Sequence, residues 1–240
     1  MSLSFQDGIR SFLVSHRDPG LYLFFPDGGF LDLSHRVVAA EADRLEHDPA
    51  ALPDDRRAAA EFRPCPVCPA RETAAMCHAL PAILPFLDAL DRYGSFDPVT
   101  AVYLELDETQ GALLHVSATT LQRALQFVAM QSVLNYCEVG RLYRPYFSGV
   151  IPFTSAAMMA ERIYANVMLE KNGDHAAIES VIAEMRAKLA VTMNCQIKRV
   201  RLVAQNDGFL NAFVNLHLTL EMLGPEHRDQ VRADLARRGV

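Results

Sequence analysis

The chain has 240 residues, half of them apolar and 22% charged, with no tryptophan and a formal net charge of −6. That length carries one large or two small domains with a core of their own, and the composition argues against disorder over most of the chain. The acidic balance gives no general attraction to nucleic acid or to an anionic membrane surface. Met1 to Gly8 lacks the basic and apolar regions of a secretory signal, and no run approaches the roughly 18 apolar residues of a membrane span, so a cytoplasmic protein without membrane segments is expected.

In chain order, Phe5, Ile9, Phe12 and Leu13 are spaced for a helix over 5–15. Leu21 to Phe25, the turn residues Pro26-Asp27-Gly28-Gly29 and the alternating Phe30 to Leu33 predict a hairpin. Ser34 stands where it can cap a short helix through His47, and Asp48-Pro49 and Leu52-Pro53-Asp54-Asp55 then break the pattern. Leu80, Ile83, Leu84, Leu87 and Leu90 recur at helical spacing, which predicts a helix from Pro81 to Gly94 despite Pro81 and Pro85. Val99 to Leu106, a turn over Asp107 to Gly111 and Ala112 to Ser117 predict a second hairpin, so the two hairpins together suggest a four-stranded antiparallel sheet.

From Thr119 the pattern becomes helical. Thr119 and Gln122 have capping-box spacing, and Leu121, Leu125, Val128, Ser132, Val133 and Tyr136 line one face of a helix reaching Gly140, with Cys137 beside that face. Arg141 to Phe153 reads as an irregular aromatic connection. Thr154 or Ser155 caps a helix stopped at Asn172-Gly173; Asp174 opens a long one to about Leu202; and Asn206-Asp207 starts a third, apolar helix over Phe209 to Leu223. Glu226 to Arg238 reads as a charged terminal helix.

Chemistry concentrates in Arg63 to His78, which holds Cys65, Cys68 and Cys77 and leaves only Cys137 and Cys195 elsewhere. An odd count with three cysteines bunched fits metal ligands or reduced thiols better than a disulfide framework. Cys65 and Cys68 form a C-x2-C knuckle, a spacing that lets two thiolates reach one ion while nearby N–H groups bond to sulfur. Structural zinc takes four N or S ligands in a tetrahedron; Cys77 is the natural third and Cys137 the favoured fourth, with His78 as the alternative ligand. An iron–sulfur cluster uses the same four thiolates. Without a metal, the cysteines are packing residues or Cys65 and Cys68 form a redox dithiol.

The Cys-Pro-x-Cys-Pro segment, a third cysteine further on and a helix ending in a fourth resemble an uncharacterised bacterial family, a domain of unknown function, over roughly Leu21 to Leu223. Cys65, Cys68, Cys77 and Cys137 occupy its motif positions. The family pattern has proline after the third and fourth cysteines, where this chain has His78 and Glu138. The resemblance supports the four-cysteine grouping and implies no activity.

Other clusters read more simply. Arg141, Tyr143, Arg144, Tyr146 and Phe147 interleave charge and aromatics and are expected to pack over the metal site and helix ends; Lys198, Arg199 and Arg201 read as a solvated face. Asn211, Asn215 and Thr219 form a polar stripe that can hydrogen-bond a neighbouring helix, a dimer mate or a ligand, and a structural role is expected. His115 and His217 are read as structural, and Glu105, Asp107 and Glu108 as acidic residues of a strand end and turn. Nucleophile-elbow, phosphate-loop, zinc-protease and dinucleotide motifs are all missing.

The expected fold is therefore α+β, with a small antiparallel sheet from two N-terminal hairpins packed with helices over 1–118 and a helical bundle over 119–240, the two forming one integrated unit. The leading functional expectation is a non-enzymatic, zinc-stabilised cytoplasmic binding or regulatory protein, a homodimer through its C-terminal helices. The alternative is an iron–sulfur or dithiol redox sensor. A third is a small-molecule enzyme of unrecognised class, which a large polar pocket remote from the cysteines would favour.

Overall fold

The computed structural model describes residues 11–107 and 111–225, together with Asp229, Ala233 and Arg237. Residues 11–15 are helical, as the N-terminal spacing suggests; Phe5 and Ile9 lie outside the described residues, as do Glu108 and most of the terminal helix expected over Glu226 to Arg238.

Two hairpins build one four-stranded antiparallel sheet. β1 (Gly20–Phe24) and β2 (Phe30–Ser34) form the first, β3 (Pro98–Asp107) and β4 (Gly111–Thr120) the second, and β1 pairs with β3 to give the order β2-β1-β3-β4. Side chains alternate across a strand. Leu21, Leu23, Leu33, Ala101 and Tyr103 consequently enter the main core, while Tyr22, Val102 and Leu104 form a smaller cluster on the opposite face with Phe12 and Leu13.

Helices fill the rest. α1 (His35–His47) follows Ser34, and α2 (Asp54–Glu61) forms where the sequence reads as a break: Pro53 precedes its first turn, Asp54 and Asp55 sit at its positive N-terminal end, and only Ala59 and Ala60 are buried. The helix expected over Pro81 to Gly94 is instead a 3-10 turn at Leu84–Phe86 and the single turn α3 (Leu87–Leu90). Two prolines within five residues remove two N–H donors, which explains the broken ladder. Leu80, Ile83, Leu84, Leu87 and Leu90 are nonetheless buried, so the apolar spacing reports the core and not a helix.

The second half is α4 (Leu121–Tyr136), α5 (Glu138–Tyr143), a 3-10 turn at Arg144–Phe147, α6 (Ala156–Glu170), α7 (His175–Val200) and α8 (Gly208–Glu221). Helix α4 stops four residues before Gly140, because Cys137 is extended (φ −80, ψ 128) and separates α4 from α5. Ser155 and Asp174 cap α6 and α7 through their side-chain oxygens. α4 packs on α8, and α8 on α6 and α7. One continuous apolar core joins sheet and helices from Leu21 to Leu223. No helix among the described residues is long and apolar enough to cross a membrane.

Candidate metal centre

The cysteine segment is a string of turns pinned at both ends. Cys68 N–H bonds Cys65 O (3.0 Å), Arg71 N–H bonds Cys68 O (3.2 Å) and Ala74 N–H bonds Ala70 O (2.8 Å), while Cys77 N–H returns to Ala60 O (2.9 Å) at the end of α2. At the entry, Arg199 of α7 donates Nε to Phe62 O (3.2 Å) and Nη2 to Arg63 O (2.8 Å). The loop is therefore fastened to a helix more than a hundred residues away in sequence.

Cys65, Cys68, Cys77 and Cys137 all line one cavity of about 60 Å³, together with His78, Thr192, Gln196 and Arg199. Cys137 reaches it because the chain kinks between α4 and α5. The kink depends on Gly140, where a methyl group would overlap the Val133 carbonyl oxygen.

Gln196 Nε2 bonds Cys77 Sγ at 3.1 Å, and neighbouring backbone N–H groups favour the thiolate at the other three, Val67 at Cys65, Ala70 at Cys68, and Gly140 and Val139 at Cys137. Hydrogen bonds of this kind favour a thiolate, and burial opposes it. At Cys65 the bonds win: the Cys195 thiol above all, then Val67 N–H, the Arg199 charge and Thr192, bring its pKa down to about 6. Burial dominates at Cys68, which is raised, and at Cys137, which is pushed up to about 11. The same bond that favours the Cys65 thiolate keeps the proton on Cys195.

Arg199 corrects the reading of Lys198, Arg199 and Arg201 as a solvated face. It is only 3% exposed, whereas its two neighbours point outward. Its Nη1 has no hydrogen-bond partner and no carboxylate pairs with it among the described residues; Gln196, 2% exposed, likewise leaves Oε1 unpartnered. A buried cation needs a counter-charge, and the acidic groups lining its cavity are the four thiols together with Glu61 and Glu138.

As placed, no three His, Cys, Asp or Glu side chains among the described residues converge closely enough to hold one ion, and all five cysteines are free thiols. His78 lines the cavity but turns its Nδ1 toward Glu138 Oε1, 3.8 Å away. Sequence reasoning missed Thr192, Cys195, Gln196 and Arg199. Their spacing, i, i+3, i+4 and i+7, marks one stripe of α7, a signal hidden beside the stronger apolar stripe of Met185, Leu189 and Met193.

The aromatic connection packs against helices α6 and α7 and not over the cysteine cavity, whose lining includes none of it: Tyr143 OH donates to Glu184 (3.2 Å) and Tyr146 OH to Glu170 (3.1 Å). Beside it a second, more polar cleft of about 420 Å³ opens between sheet and α4, lined among others by Tyr103, Glu105, Gln131, Asn135 and Arg144. Burial and the Glu105 charge push Tyr103 up to about 12, so it stays a neutral donor there.

Fold and site define an α+β protein whose loop cysteines meet the helical half around one cavity. Its family is the one described as Domain of unknown function (DUF6901), whose family model matches residues 22–236; the chain belongs to it. No curated protein and no solved structure matches the chain.

Proposed function

We propose that Cys65, Cys68, Cys77 and Cys137 hold one structural zinc ion, and that the protein is a non-enzymatic, metal-stabilised binding or regulatory protein of the cytoplasm. The observation that carries this reading is the gathering of all four cysteines around one cavity that the uncompensated Arg199 also lines, with Gln196 donating to Cys77. Four thiolates around Zn²⁺ leave a net negative centre, and Arg199 offsets part of it. Binding requires the sulfurs to turn inward, Cys65 exchanging Cys195 for the ion. The ion then ties the loop to α4 and α7, so its binding energy becomes folding energy. An iron–sulfur cluster on the same thiolates is the alternative. Elemental analysis and a visible spectrum on protein purified anaerobically separate them, beside Cys65→Ser and Cys137→Ser. One zinc per chain, reduced in both variants, supports the reading; iron with sulfide supports the alternative; no metal sinks both.

A second reading rests on the polar cleft: a small-molecule site in which Arg144, unpaired among the described residues, faces a bound anion. Homodimerisation through the C-terminal helices belongs to the first reading, supported by exposed Leu218 on α8 and Leu202 just past α7. Light scattering decides it, a monomer mass at high concentration removing it.

A further inference from the structure

The polar cleft between the sheet and α4 carries two opposite charges that do not meet. Side chains two apart on a strand share a face, so β3 brings Tyr103 and Glu105 to one wall. Phe127, Gln131 and Asn135, four apart in turn, share one face of α4 and form the second. The segment from Arg144 to Ile151 closes the third side, and α6 holds it in place. Asn166 Nδ2 donates to Tyr146 O and to Ser148 O (2.8 Å each), Arg162 Nε donates to Ser148 O (3.2 Å), and Gly149 adopts φ +64 where a methyl group would overlap the Arg162 guanidinium. The cleft is therefore built before any ligand arrives, which lowers the cost of binding one.

Among the residues lining it, Arg144 is the only cation and Glu105 the only carboxylate, and no ion pair joins them. The one basic group that reaches Glu105 among the described residues is His115, whose Nε2 lies 3.5 Å from Oε2 and makes no hydrogen bond. Two opposite charges left apart on one concave surface match a ligand that carries both. Gln131 and Asn135 spend one bond on each other, Asn135 Nδ2 to Gln131 Oε1 (2.9 Å), which leaves the Gln131 amide hydrogens and Asn135 Oδ1 for that ligand. Phe127, Leu134, Phe147 and Val150 add an apolar wall for a carbon skeleton, and the volume of about 420 Å³ falls within the roughly 300–1,000 Å³ of small-molecule sites. We propose that the cleft binds a small aliphatic aminocarboxylic acid as its zwitterion, the carboxylate paired with Arg144, the ammonium with Glu105 and the skeleton against the apolar wall. This rests on the second reading above, in which Arg144 faces a bound anion, and is independent of the metal centre.

The test is an NMR titration of the full chain with L-leucine and δ-aminovalerate, which hold their charges close together and at opposite ends of a chain. Each is run beside its carboxylate without the ammonium, isocaproate or valerate, and its amine without the carboxylate, isoamylamine or butylamine. The expected result is that at least one zwitterion shifts backbone amides of β3, α4 and 144–151, with an affinity about ten-fold or more above both of its singly charged analogues. Arg144→Gln should bring that affinity down to the amine's and Glu105→Gln to the carboxylate's; both side chains are exposed, so the fold survives either change. A carboxylate that binds through Arg144 as tightly as its zwitterion overturns the proposal and keeps the cleft as an anion site. Binding untouched by Glu105→Gln overturns it as well. No shift at the cleft from any of these compounds at millimolar concentration removes the reading of the cleft itself, and the proposal with it.

Discussion

Arg199 brings a fixed positive charge into the interior and uses two of its N–H groups to hold the carbonyls of Phe62 and Arg63. Its Nη1 is buried without a hydrogen-bond partner, and the side chain lines the cavity of the thiols. Arg199→Met keeps the apolar stem but removes both functions, so zinc affinity is expected to fall about ten-fold, as for other groups that support metal ligands from behind. Competition against a calibrated chelator measures this, and unchanged affinity would show that the charge plays no part. Asp207 gives a pH test. The protein packed beside it works against its charge, but the hydroxyl and N–H of Ser95 and the amide of Asn211 outweigh that and hold its carboxyl below the ordinary range. A lowered carboxyl contributes stability that is fully present above its unfolded pKa and is lost as pH falls through the folded one. Urea unfolding should therefore show wild type more stable than Asp207→Asn at pH ~7, with the gap closing below about pH 4; a constant gap would refute the assignment. At this scale the grouping of Cys65, Cys68 and Cys77 was legible, because their spacing is local. Arg199 was not, since adjacent Lys198 and Arg201 read as solvent-facing and nothing in the chain says which of the three turns inward.

Among the elements, the kink between α4 and α5 positions Cys137, and it exists because Gly140 lets α5 close against the Val133 carbonyl. Gly140→Ala is expected to destabilise the protein by about 2 kcal/mol or more and to weaken metal binding with it; thermal unfolding beside metal content checks both, and an unaffected variant would mean the close approach is not required. The α4–α8 contact contains a buried bond from Gln126 Nε2 to Thr219 Oγ1 (3.1 Å), so Thr219 of the polar stripe serves a neighbouring helix, whereas Asn211 bonds Asp207 at the start of its own helix. Thr219→Val leaves the Gln126 amide without that acceptor and should cost about 1–2 kcal/mol, much of it recovered in the Gln126→Leu/Thr219→Val double variant. Equal losses in single and double variants would contradict this. Strands and long helices were legible from periodicity and caps. α2 was not, because two buried alanines make no stripe, and the Pro81 to Gly94 segment misled because core residues can repeat at helical spacing without a helix.

Across the whole molecule, one core joins the sheet, the turn-rich segment after Cys77 and the helical half, and the cysteine loop is draped over its side against α7. The α+β class follows from two hairpin signals before Thr119 and helical patterns after it. The cavity itself is a tertiary product: it depends on α7 meeting a loop far from it in sequence, and no local pattern encodes that meeting. The central claim is that this loop and the helical half share one ion through four sulfurs. X-ray absorption at the zinc edge of the metal-loaded chain tests it most directly. A shell of four sulfurs at about 2.3 Å is expected, falling to three in Cys137→Ser. A shell containing nitrogen or oxygen in the wild type, or one unaltered by Cys137→Ser, would contradict the account.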